Sequence, residues 1–348
     1  MMDLVLTLSA ILITLTKTSV ATCACTRRAS VIQTFYMATN GAKWLRPWDM
    51  SSADVPCGLE GVTCDVALGD ITVISVAGRS LRGSLPTALG QLTAMTTFSV
   101  ANNSLSGTVP PELSSCIALY SFDIWRNSLS GTLPPEFRAW TKMFVFSVGS
   151  NQLTGTLPEA YSAWGASQAF FYVDTNLLSG TLPGAFSSWT ALEVFTAYSN
   201  SISGTLPPEY QSWASITDYH IQANSLTGSL PSTYSALVNL TTFDCSGNLL
   251  SGSLPEAFAS LMKLEKFYAF GNSLSGTLPP GYGAWKNVTG VLLYTNAISG
   301  TLPSEYAQWT RVETIDFGVN ALSGTLPAAY SRWTALTVLH LGLNSIWA

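Results

Sequence analysis

The sequence predicts a solenoid of about twelve stacked turns of 24 residues, α/β in class but mostly β in content, with a parallel sheet of about twelve strands on its concave face. The first observation is a series of asparagines spaced 24 residues apart, with one interval of 25 residues. The series is Asn103, Asn127, Asn151, Asn176, Asn200, Asn224, Asn248, Asn272, Asn296, Asn320 and Asn344. The second observation is a recurring sequence motif, which is Ser-Leu-Ser-Gly-Thr-Leu-Pro after Asn127. A fixed period of this kind indicates structural units that stack on one another.

Each turn is expected to contribute one short strand upstream of its asparagine. Apolar residues lie eight, five and three positions before it, as Ile216, Tyr219 and Ile221 do before Asn224. Alternation with a period of two places every second side chain inward, so successive strands can pair in parallel. We expect each asparagine amide to bond the backbone of its own turn and of the next turn, forming a ladder, because a buried amide needs partners.

The rest of each turn predicts a convex side without long helices. Glycine four residues after the asparagine permits backbone geometry that a Cβ forbids, and Leu-Pro then ends an extended segment. We predict short 3₁₀ or extended pieces there. An apolar residue follows thirteen positions after each asparagine, and we place this row in the core rather than on a carbohydrate-binding platform. It is tryptophan at Trp140, Trp164, Trp189, Trp213, Trp285, Trp309 and Trp333.

This spacing resembles the leucine-rich repeat, and Leu-Ser-Gly-Thr-Leu-Pro resembles its plant-type class. The resemblance covers residues 28–348 and implies a second short sheet beside the concave one. Residues 44–65, which include Trp44 and Trp48, look like the N-terminal cap of that class. A capping helix is predicted over residues 28–39, where apolar residues recur at roughly helical spacing.

A narrower resemblance lies in the motif Pro-Pro-Glu-Tyr/Phe-x-x-Trp, at residues 134–140 and 207–213. It is similar to the promastigote surface antigens and related proteophosphoglycans of kinetoplastid protozoa. That family implies a glycosylated cell-surface protein that binds host or environmental macromolecules. The sequence departs from the family at residues 344–348, which stop inside a repeat without a Cys-rich cap, a stalk or an anchor signal. The chain is therefore expected to be either truncated or released.

Three regions are expected along the chain: a signal peptide at 1–21, an N-terminal capping region at 22–70, and the solenoid at 71–348, which ends without a C-terminal cap. An apolar stretch followed by small residues before Ala21 predicts secretion or display at the cell surface. Asp3 precedes that stretch where a basic residue is usual, so an uncleaved anchor is the alternative. We expect membrane association only through such an anchor, or through one missing from this chain.

The six cysteines fall into three groups. Cys57 and Cys64 are expected to form a disulfide, because secretion supplies an oxidising compartment. The sequence leaves open whether Cys23 and Cys25, beside the expected cleavage site, both remain in the mature chain. Buried thiols are expected at two apolar positions of the repeat, Cys116 and Cys245.

The composition excludes several classes of function. Charged residues are 10% of the chain and hydrophobic residues 47%, which excludes a disordered chain. The formal net charge of -5 and the lack of Lys/Arg clusters argue against nucleic acid and anionic membrane surfaces as partners.

A ligand-binding surface is predicted on the concave face, where the residues six, four and two positions before each asparagine should face solvent. Seven of these 36 positions are aromatic, about twice the 11% aromatic share of the chain. Aromatic side chains on a rigid sheet are typical of recognition surfaces. The predicted contacts to an extracellular protein or glycan are Asp123, Trp125, Phe170, Tyr172, Asp174, Tyr198, His220, Asp244, Tyr268, Phe270 and Tyr294.

The alternative function is a structural, glycosylated surface-coat protein with no dominant ligand. Three N-glycosylation sequons support a surface role, at Asn102, Asn239 and Asn287. Asn239 and Asn287 occupy the same repeat position two turns apart.

Catalysis is not expected. Both histidines lie beside an aspartate on the neighbouring strand, His220 by Asp244 and His340 by Asp316, and Ser246 is close to the first pair. An open sheet offers no enclosing pocket, so we predict neither an enzyme nor a metal or cofactor site. Solvated edge positions, rather than paired catalytic carboxylates, are expected for Glu112, Glu136, Glu209 and Glu305.

Overall fold

A computed structural model of the chain describes residues 26–51, 56–65, 67 and 69–347. The expected signal peptide at 1–21, Cys23 and Cys25 lie outside these residues. None of the helices in the described ranges is long and apolar enough to span a membrane.

A thirteen-stranded sheet forms the concave face of the solenoid. Its strands are Val62–Asp65, Asp70–Ser75, Thr97–Ser99, Ser121–Asp123, Val145–Ser147, Phe170–Tyr172, Val194–Thr196, Asp218–His220, Thr242–Asp244, Lys266–Tyr268, Gly290–Leu292, Thr314–Asp316 and Val338–His340. The first strand runs antiparallel to the second, and the remaining pairs are parallel, one turn apart. The prediction of twelve parallel strands is confirmed, and the capping region adds the thirteenth.

Short parallel strands after the asparagines form further sheets beside the concave one, as the plant-type resemblance implied. They are Arg82–Gly83, Ser104–Thr108, Ser128–Thr132, Gln152–Thr154, Ser203–Thr205, Ser225–Thr227, Ser251–Ser253, Ser273–Ser275, Ser299–Thr301, Ala321–Thr325 and Ser345–Trp347. Serine or threonine hydroxyls here donate to glycine carbonyls of the preceding turn; for example, Ser203 Oγ lies 3.2 Å from the Gly180 oxygen.

The convex side consists of short 3₁₀ helices, as predicted. They span Thr87–Gln91, Pro111–Ser115, Pro135–Ala139, Glu159–Ser167, Gly184–Ser188, Pro208–Ser212, Ser232–Ala236, Glu256–Ser260, Pro280–Ala284, Ser304–Gln308 and Ala328–Arg332, with Gly41–Lys43 in the cap. The extra residue of the 25-residue interval extends the segment after Trp164, where Gly165 has φ 54°. Glu112, Glu136, Glu209 and Glu305 are exposed on this side.

The tryptophan row lies in the core rather than on a sugar-binding surface. Each tryptophan stacks on the aromatic residue three positions earlier, and the ring centroids of Tyr210 and Trp213 are 3.7 Å apart. The indole nitrogen of Trp213 also donates to the Phe186 carbonyl of the preceding turn at 2.9 Å. Because this bond recurs from turn to turn, the row ties consecutive turns together while burying large apolar surfaces.

The predicted asparagine ladder is present, but it runs toward the preceding turn and not toward the next one. Asn127 Nδ2 donates to the Ile124 carbonyl of its own turn and to the Val100 carbonyl of the preceding turn, each at 3.0 Å. Its Oδ1 accepts the Leu105 N–H, also of the preceding turn, at 2.9 Å. Each amide therefore satisfies backbone groups that the bend leaves without strand partners.

The N-terminal cap covers the first turn. The helix Thr26–Ala38 buries Val31, Ile32 and Phe35, and Cys57 is bonded to Cys64 as predicted. Cys116 and Cys245 are buried free thiols, also as predicted.

The last turn is less well covered than those before it. Leu336, Leu341 and Ile346 pack against the core, whereas Leu339 is 37% exposed and Leu343 78% exposed. Trp347 is 71% exposed and leaves that apolar end uncovered.

Candidate functional site on the concave face

Side chains alternate between the core and the concave face along each strand. In Phe170–Tyr172, Phe171 is part of the core, while Phe170 and Tyr172 lie together on the concave face. Parallel pairing brings equivalent residues side by side, so Tyr172, Thr196, His220 and Asp244 follow one another across four turns. Neighbouring strands are about 4.8 Å apart, so equivalent side chains of adjacent turns lie next to each other.

Five of the predicted contact residues are buried, and the expectation that they face solvent is therefore wrong. Their exposed fractions are 9% for Asp123, 7% for Phe170, 5% for Asp174, 5% for His220 and 9% for Asp244. The prediction treated an outward-pointing side chain as an exposed one. On a concave sheet, however, side chains from adjacent turns converge and cover one another. The other predicted contacts are half-buried: Trp125, Tyr172, Tyr198, Tyr268, Phe270 and Tyr294.

An apolar cluster explains the burial of Phe170. The residue packs with Ala169 and Val194, and its ring meets the edge of Phe144 with centroids 5.3 Å apart. Phe144 in turn stacks on Tyr120 at 4.8 Å, and Tyr120 is 45% exposed. Tyr120 and Phe144 were not among the predicted contacts, because they lie seven positions before their asparagines, outside the three rows expected to face solvent. The signal was an aromatic residue at a repeat position that otherwise holds threonine, glutamate or, at residue 169, alanine.

Buried carboxylates occupy the middle of the concave face and are held by neutral donors. Thr196 Oγ1 donates to Asp174 at 2.9 Å, and the backbone N–H of Ser246 donates to Asp244 at 3.0 Å. Burial raises the pKa of both carboxyls, and these hydrogen bonds oppose the shift. Burial also raises the pKa of Tyr198 to about 12, as does the neighbouring Asp174 charge.

The two histidines differ in their surroundings. His220 pairs with Asp244 of the neighbouring strand, as expected. Its Nε2, however, lies 3.9 Å from Asp218 Oδ1 on its own strand and makes no hydrogen bond. His340 is mostly exposed, and its Nδ1 lies 3.3 Å from Asp316. No group of three or more His, Cys, Asp or Glu side chains that could hold a metal occurs in the described ranges.

Aromatic side chains line the concave face toward the C-terminal turns. Phe270 and Tyr294 stack with centroids 4.4 Å apart. The hydroxyl of Tyr268 lies over Gly290, where a Cβ would approach it to 2.9 Å. Near the other end, the guanidinium of Arg126 lies 5.9 Å from the Trp125 ring. These rings are held by the sheet and by each other, which reduces the entropy lost when a ligand binds them.

The sequon asparagines lie outside the strands of the concave sheet. Asn102 is exposed with φ 53°. Asn239 and Asn287 are equivalent, as expected, since the side-chain amide of each donates to a carbonyl 25 residues earlier. Each also accepts a bond from a cation of the next turn, Lys263 at 2.7 Å and Arg311 at 3.2 Å.

Residues 239–261 match the leucine-rich-repeat family. Together with the asparagine ladder and the strand-to-3₁₀ turns, this match decides the architecture. The chain is a leucine-rich-repeat solenoid. No curated protein sequence matches it significantly.

The solved structures similar to this leucine-rich-repeat chain include plant receptor ectodomains. The plant peptide hormone receptor RGFR1 in complex with RGF2 has a TM-score of 0.71 and 27% identity, covering 77% of this chain and 46% of that one. The ectodomain of the Arabidopsis receptor kinase HAESA, in complex with an IDA peptide hormone ligand, has a TM-score of 0.79 and 25% identity over 93% of this chain and 54% of that one. The chain therefore spans about half the length of these receptor chains.

A plant ice-binding protein is also similar, with a TM-score of 0.63 and 23% identity over 93% of this chain and 98% of that one. This likeness shows the shared fold alone. The chain thus has a leucine-rich-repeat fold and resembles plant leucine-rich-repeat ectodomains.

Proposed function

We propose that this chain is a secreted or cell-surface recognition scaffold that binds a protein or glycan ligand through its concave face. The observation that carries the proposal is the presence of half-buried aromatic side chains at several turns of the concave face, namely Trp125, Tyr198, Tyr268, Phe270 and Tyr294. Rings that are rigidly held yet partly exposed supply large contact areas at low entropic cost, which is typical of binding hot spots.

Two further observations support this proposal. The receptor ectodomains similar to this chain carry peptide hormones in their solved complexes. The Cys57–Cys64 disulfide suits an extracellular compartment. Glycans at Asn239 and Asn287 belong to the same proposal and would leave the concave face open. The Pro-Pro-Glu-Tyr/Phe-x-x-Trp motif favours a surface protein similar to the kinetoplastid antigens.

The test is selection of ligands by the full chain from a random-peptide phage library and a glycan array. The counter-screen is a variant with Tyr172, Tyr198, Tyr268 and Tyr294 changed to alanine. A matched control replaces four exposed apolar residues elsewhere, Leu177, Val238, Leu249 and Met262, with alanine. We expect saturable ligands that bind the control variant normally. Their Kd for the concave variant should be at least ten times higher, which corresponds to a loss of about 1.4 kcal/mol in binding free energy.

Two results of this selection would contradict the proposal. Selected ligands that bind the concave variant as tightly as the unaltered chain would place recognition elsewhere. A failure to select any saturable ligand would favour a surface-coat protein with no dominant ligand.

A further inference from the structure

We propose that the concave face contains a subsite for a neutral pyranose ring, which stacks on Tyr294 and lies over Gly318 and Gly342 beside Asp316. This inference rests on the proposed function and narrows its ligand to a glycan. We call the open surface formed by the two glycines next to the Tyr294 ring the glycine shelf.

The Tyr294 ring has one covered face and one face that is turned toward the next turn. Phe270, the equivalent residue of the preceding turn, covers the first face: the two rings lie 8° from parallel with centroids 4.4 Å apart. That separation is close to the spacing of about 4.8 Å between neighbouring strands, so the rings stack along the axis of the solenoid. The opposite face of Tyr294, which is half-buried, therefore points toward the following turn.

The equivalent residues of the next two turns are glycines. The Thr295 N–H donates to the Gly318 carbonyl at 3.0 Å, which places Gly318 beside Tyr294 in the parallel register. The Val319 N–H donates to the Gly342 carbonyl at 2.8 Å, so Gly342 follows one turn further. A Cβ on Gly342 would meet nothing within 4 Å. The glycine shelf therefore extends over two strand spacings, roughly 10 Å, in front of the ring.

Asp316 supplies hydrogen-bond acceptors at the side of the glycine shelf. Its Oδ1 accepts the Gly318 N–H at 2.9 Å and would lie 3.1 Å from a Cβ on that glycine. Its Oδ2 lies 3.3 Å from His340 Nδ1, and the side chains of Asp316 and His340 are 20% and 73% exposed. Each carboxylate oxygen accepts more than one hydrogen bond, so lone pairs remain for a ligand. Burial raises the pKa of Tyr294, and the nearby Asp316 charge raises it further.

A neutral pyranose ring with equatorial hydroxyls matches this combination of groups. Its flat faces carry C–H groups that pack on an aromatic ring, while its hydroxyls point outward from the ring edge and donate to a carboxylate. A phenylalanine side chain of a peptide would also stack on Tyr294, but it offers Asp316 no donor. A sugar with a carboxylate would be repelled by Asp316. Ring stacking and acceptors together therefore favour a neutral sugar.

The test measures binding of methyl β-D-glucopyranoside to the full chain labelled with ¹³C-histidine. The chain has two histidines: His340 lies beside Asp316, and His220 lies five turns away. We expect the glucoside to shift the His340 ring signals saturably and to leave those of His220 unchanged. Two controls isolate the features of the sugar, because sorbitol has hydroxyls without a ring and methyl β-D-glucuronide has the same ring with a negative charge. Neither should shift the His340 signals at the same concentrations.

A substitution on the glycine shelf tests its location. Gly342→Leu should fill the shelf without disturbing the fold, because the Cβ position is free and this glycine is not among the residues with positive φ. We expect it to weaken glucoside binding at least about tenfold, measured by saturation-transfer difference NMR on the sugar signals. Ala321→Leu is the matched control, since it adds the same side chain at an exposed position of a short sheet outside the concave face.

Two further variants test the groups that contact the sugar. Tyr294→Ala removes the stacking face and should weaken binding about tenfold. Asp316→Asn retains an acceptor for the Gly318 N–H but loses the charge, so it should weaken binding about fivefold. Unchanged His220 signals in each variant verify that the fold is intact.

The inference would be overturned by any of four results: no saturable shift of His340, parallel shifts of both histidines, equal binding of sorbitol or the glucuronide, or normal binding by Gly342→Leu. These failures are distinguishable from failure of the proposed function. Ligands from the phage library or the glycan array that require the concave tyrosines but bind Gly342→Leu normally would sink this inference and leave the recognition function standing.

Discussion

The guanidinium of Arg79 lies 3.0 Å from the carboxylate of Glu60, and Arg79 occupies the position that asparagine holds in every later turn. The ladder begins one turn later, where Asn103 Oδ1 accepts the backbone N–H of Arg79 at 3.0 Å. Arg79 thus joins the repeat through its backbone and the capping region through its side chain. Since Val62–Asp65 adds a strand immediately after Glu60, the ion pair fixes the cap where it meets the concave sheet.

Glu60→Gln is expected to destabilise the cap. The Arg79 side chain is 6% exposed and its Nη1 already lacks a partner, so removal of the facing charge leaves a buried cation uncompensated. We expect a loss of about 1–3 kcal/mol in the free energy of unfolding, measured by urea denaturation. Arg46→Gln is the matched control, because that exposed residue pairs with the same carboxylate and should change stability by less than about 1 kcal/mol. Equal effects of the two changes would contradict the role assigned to Arg79.

Asn200→Leu should destabilise the solenoid locally rather than as a whole. Asn200 Nδ2 donates to the Val173 carbonyl at 3.1 Å, and its Oδ1 accepts the Leu178 N–H at 3.0 Å. Loss of these bonds leaves backbone groups of two turns unpaired, at about 1–3 kcal/mol, while distant turns retain their own interfaces. Hydrogen exchange should quicken around residue 200 and hardly change near Asn320. Uniform acceleration along the chain would refute this.

The periodic part of the structure could be predicted from the sequence because each repeat meets the same neighbours. The strand, the asparagine and the 3₁₀ segment recur eleven times, so local spacing determines their environment. The direction of the ladder could not be predicted, because an amide can reach carbonyls on either side of its turn. The Arg79–Glu60 pair was missed because it joins the irregular first turn to a cap with no repeated pattern.

The candidate site was predicted only in outline for a related reason. Alternation along a strand indicates which side chains point to the concave face, and Tyr198 and Tyr294 do lie there half-buried. Exposure depends on neighbours across the sheet. Asp174 is covered where Thr196 and Tyr198 of the next turn reach toward it, a relationship that no single repeat contains.

Gly204→Ala should cost more stability than Gly247→Ala. Gly204 has φ +77°, and a Cβ there would lie 2.7 Å from the Thr181 Cγ2 of the preceding turn. Gly247 also has a positive φ, but nothing approaches its Cβ position closer than 3.6 Å. We expect a loss of about 1 kcal/mol at Gly247 from the backbone conformation, and about 2–4 kcal/mol at Gly204 from conformation and overpacking together.

A double-mutant cycle separates the two contributions at Gly204. Thr181→Ser removes the methyl group that meets the new Cβ, so Gly204→Ala should cost less in that background. Additive losses would show that the contact with Thr181 contributes nothing.

Val319→Asn is expected to stabilise the chain. Val319 has φ 53° and is 44% exposed, so a β-branched residue adopts a left-handed conformation while burying little surface. Asparagine tolerates that conformation better, and we expect a gain of about 1 kcal/mol in the free energy of unfolding. Val238→Asn is the control, because Val238 is 50% exposed and is not among the residues with positive φ. If both changes were neutral or harmful, backbone strain at Val319 would not limit stability.

The last strand, Val338–His340, lies at the edge of the concave sheet. It pairs with Thr314–Asp316 on one side, and in the described chain no strand lies on its other side. Val338 is 41% exposed and Leu339 is 37% exposed. The unpaired backbone edge therefore also carries exposed apolar side chains. An edge of this kind favours association with other chains. We expect the 348-residue chain to form oligomers at high concentration, with faster hydrogen exchange from residue 325 onward than at mid-solenoid strands. Leu339→Lys should suppress the oligomers in sedimentation experiments, whereas Val238→Lys, on another exposed surface, should not. A monomer at high concentration, with Leu339 and Leu341 as protected as mid-solenoid strands, would show that this end is adequately covered.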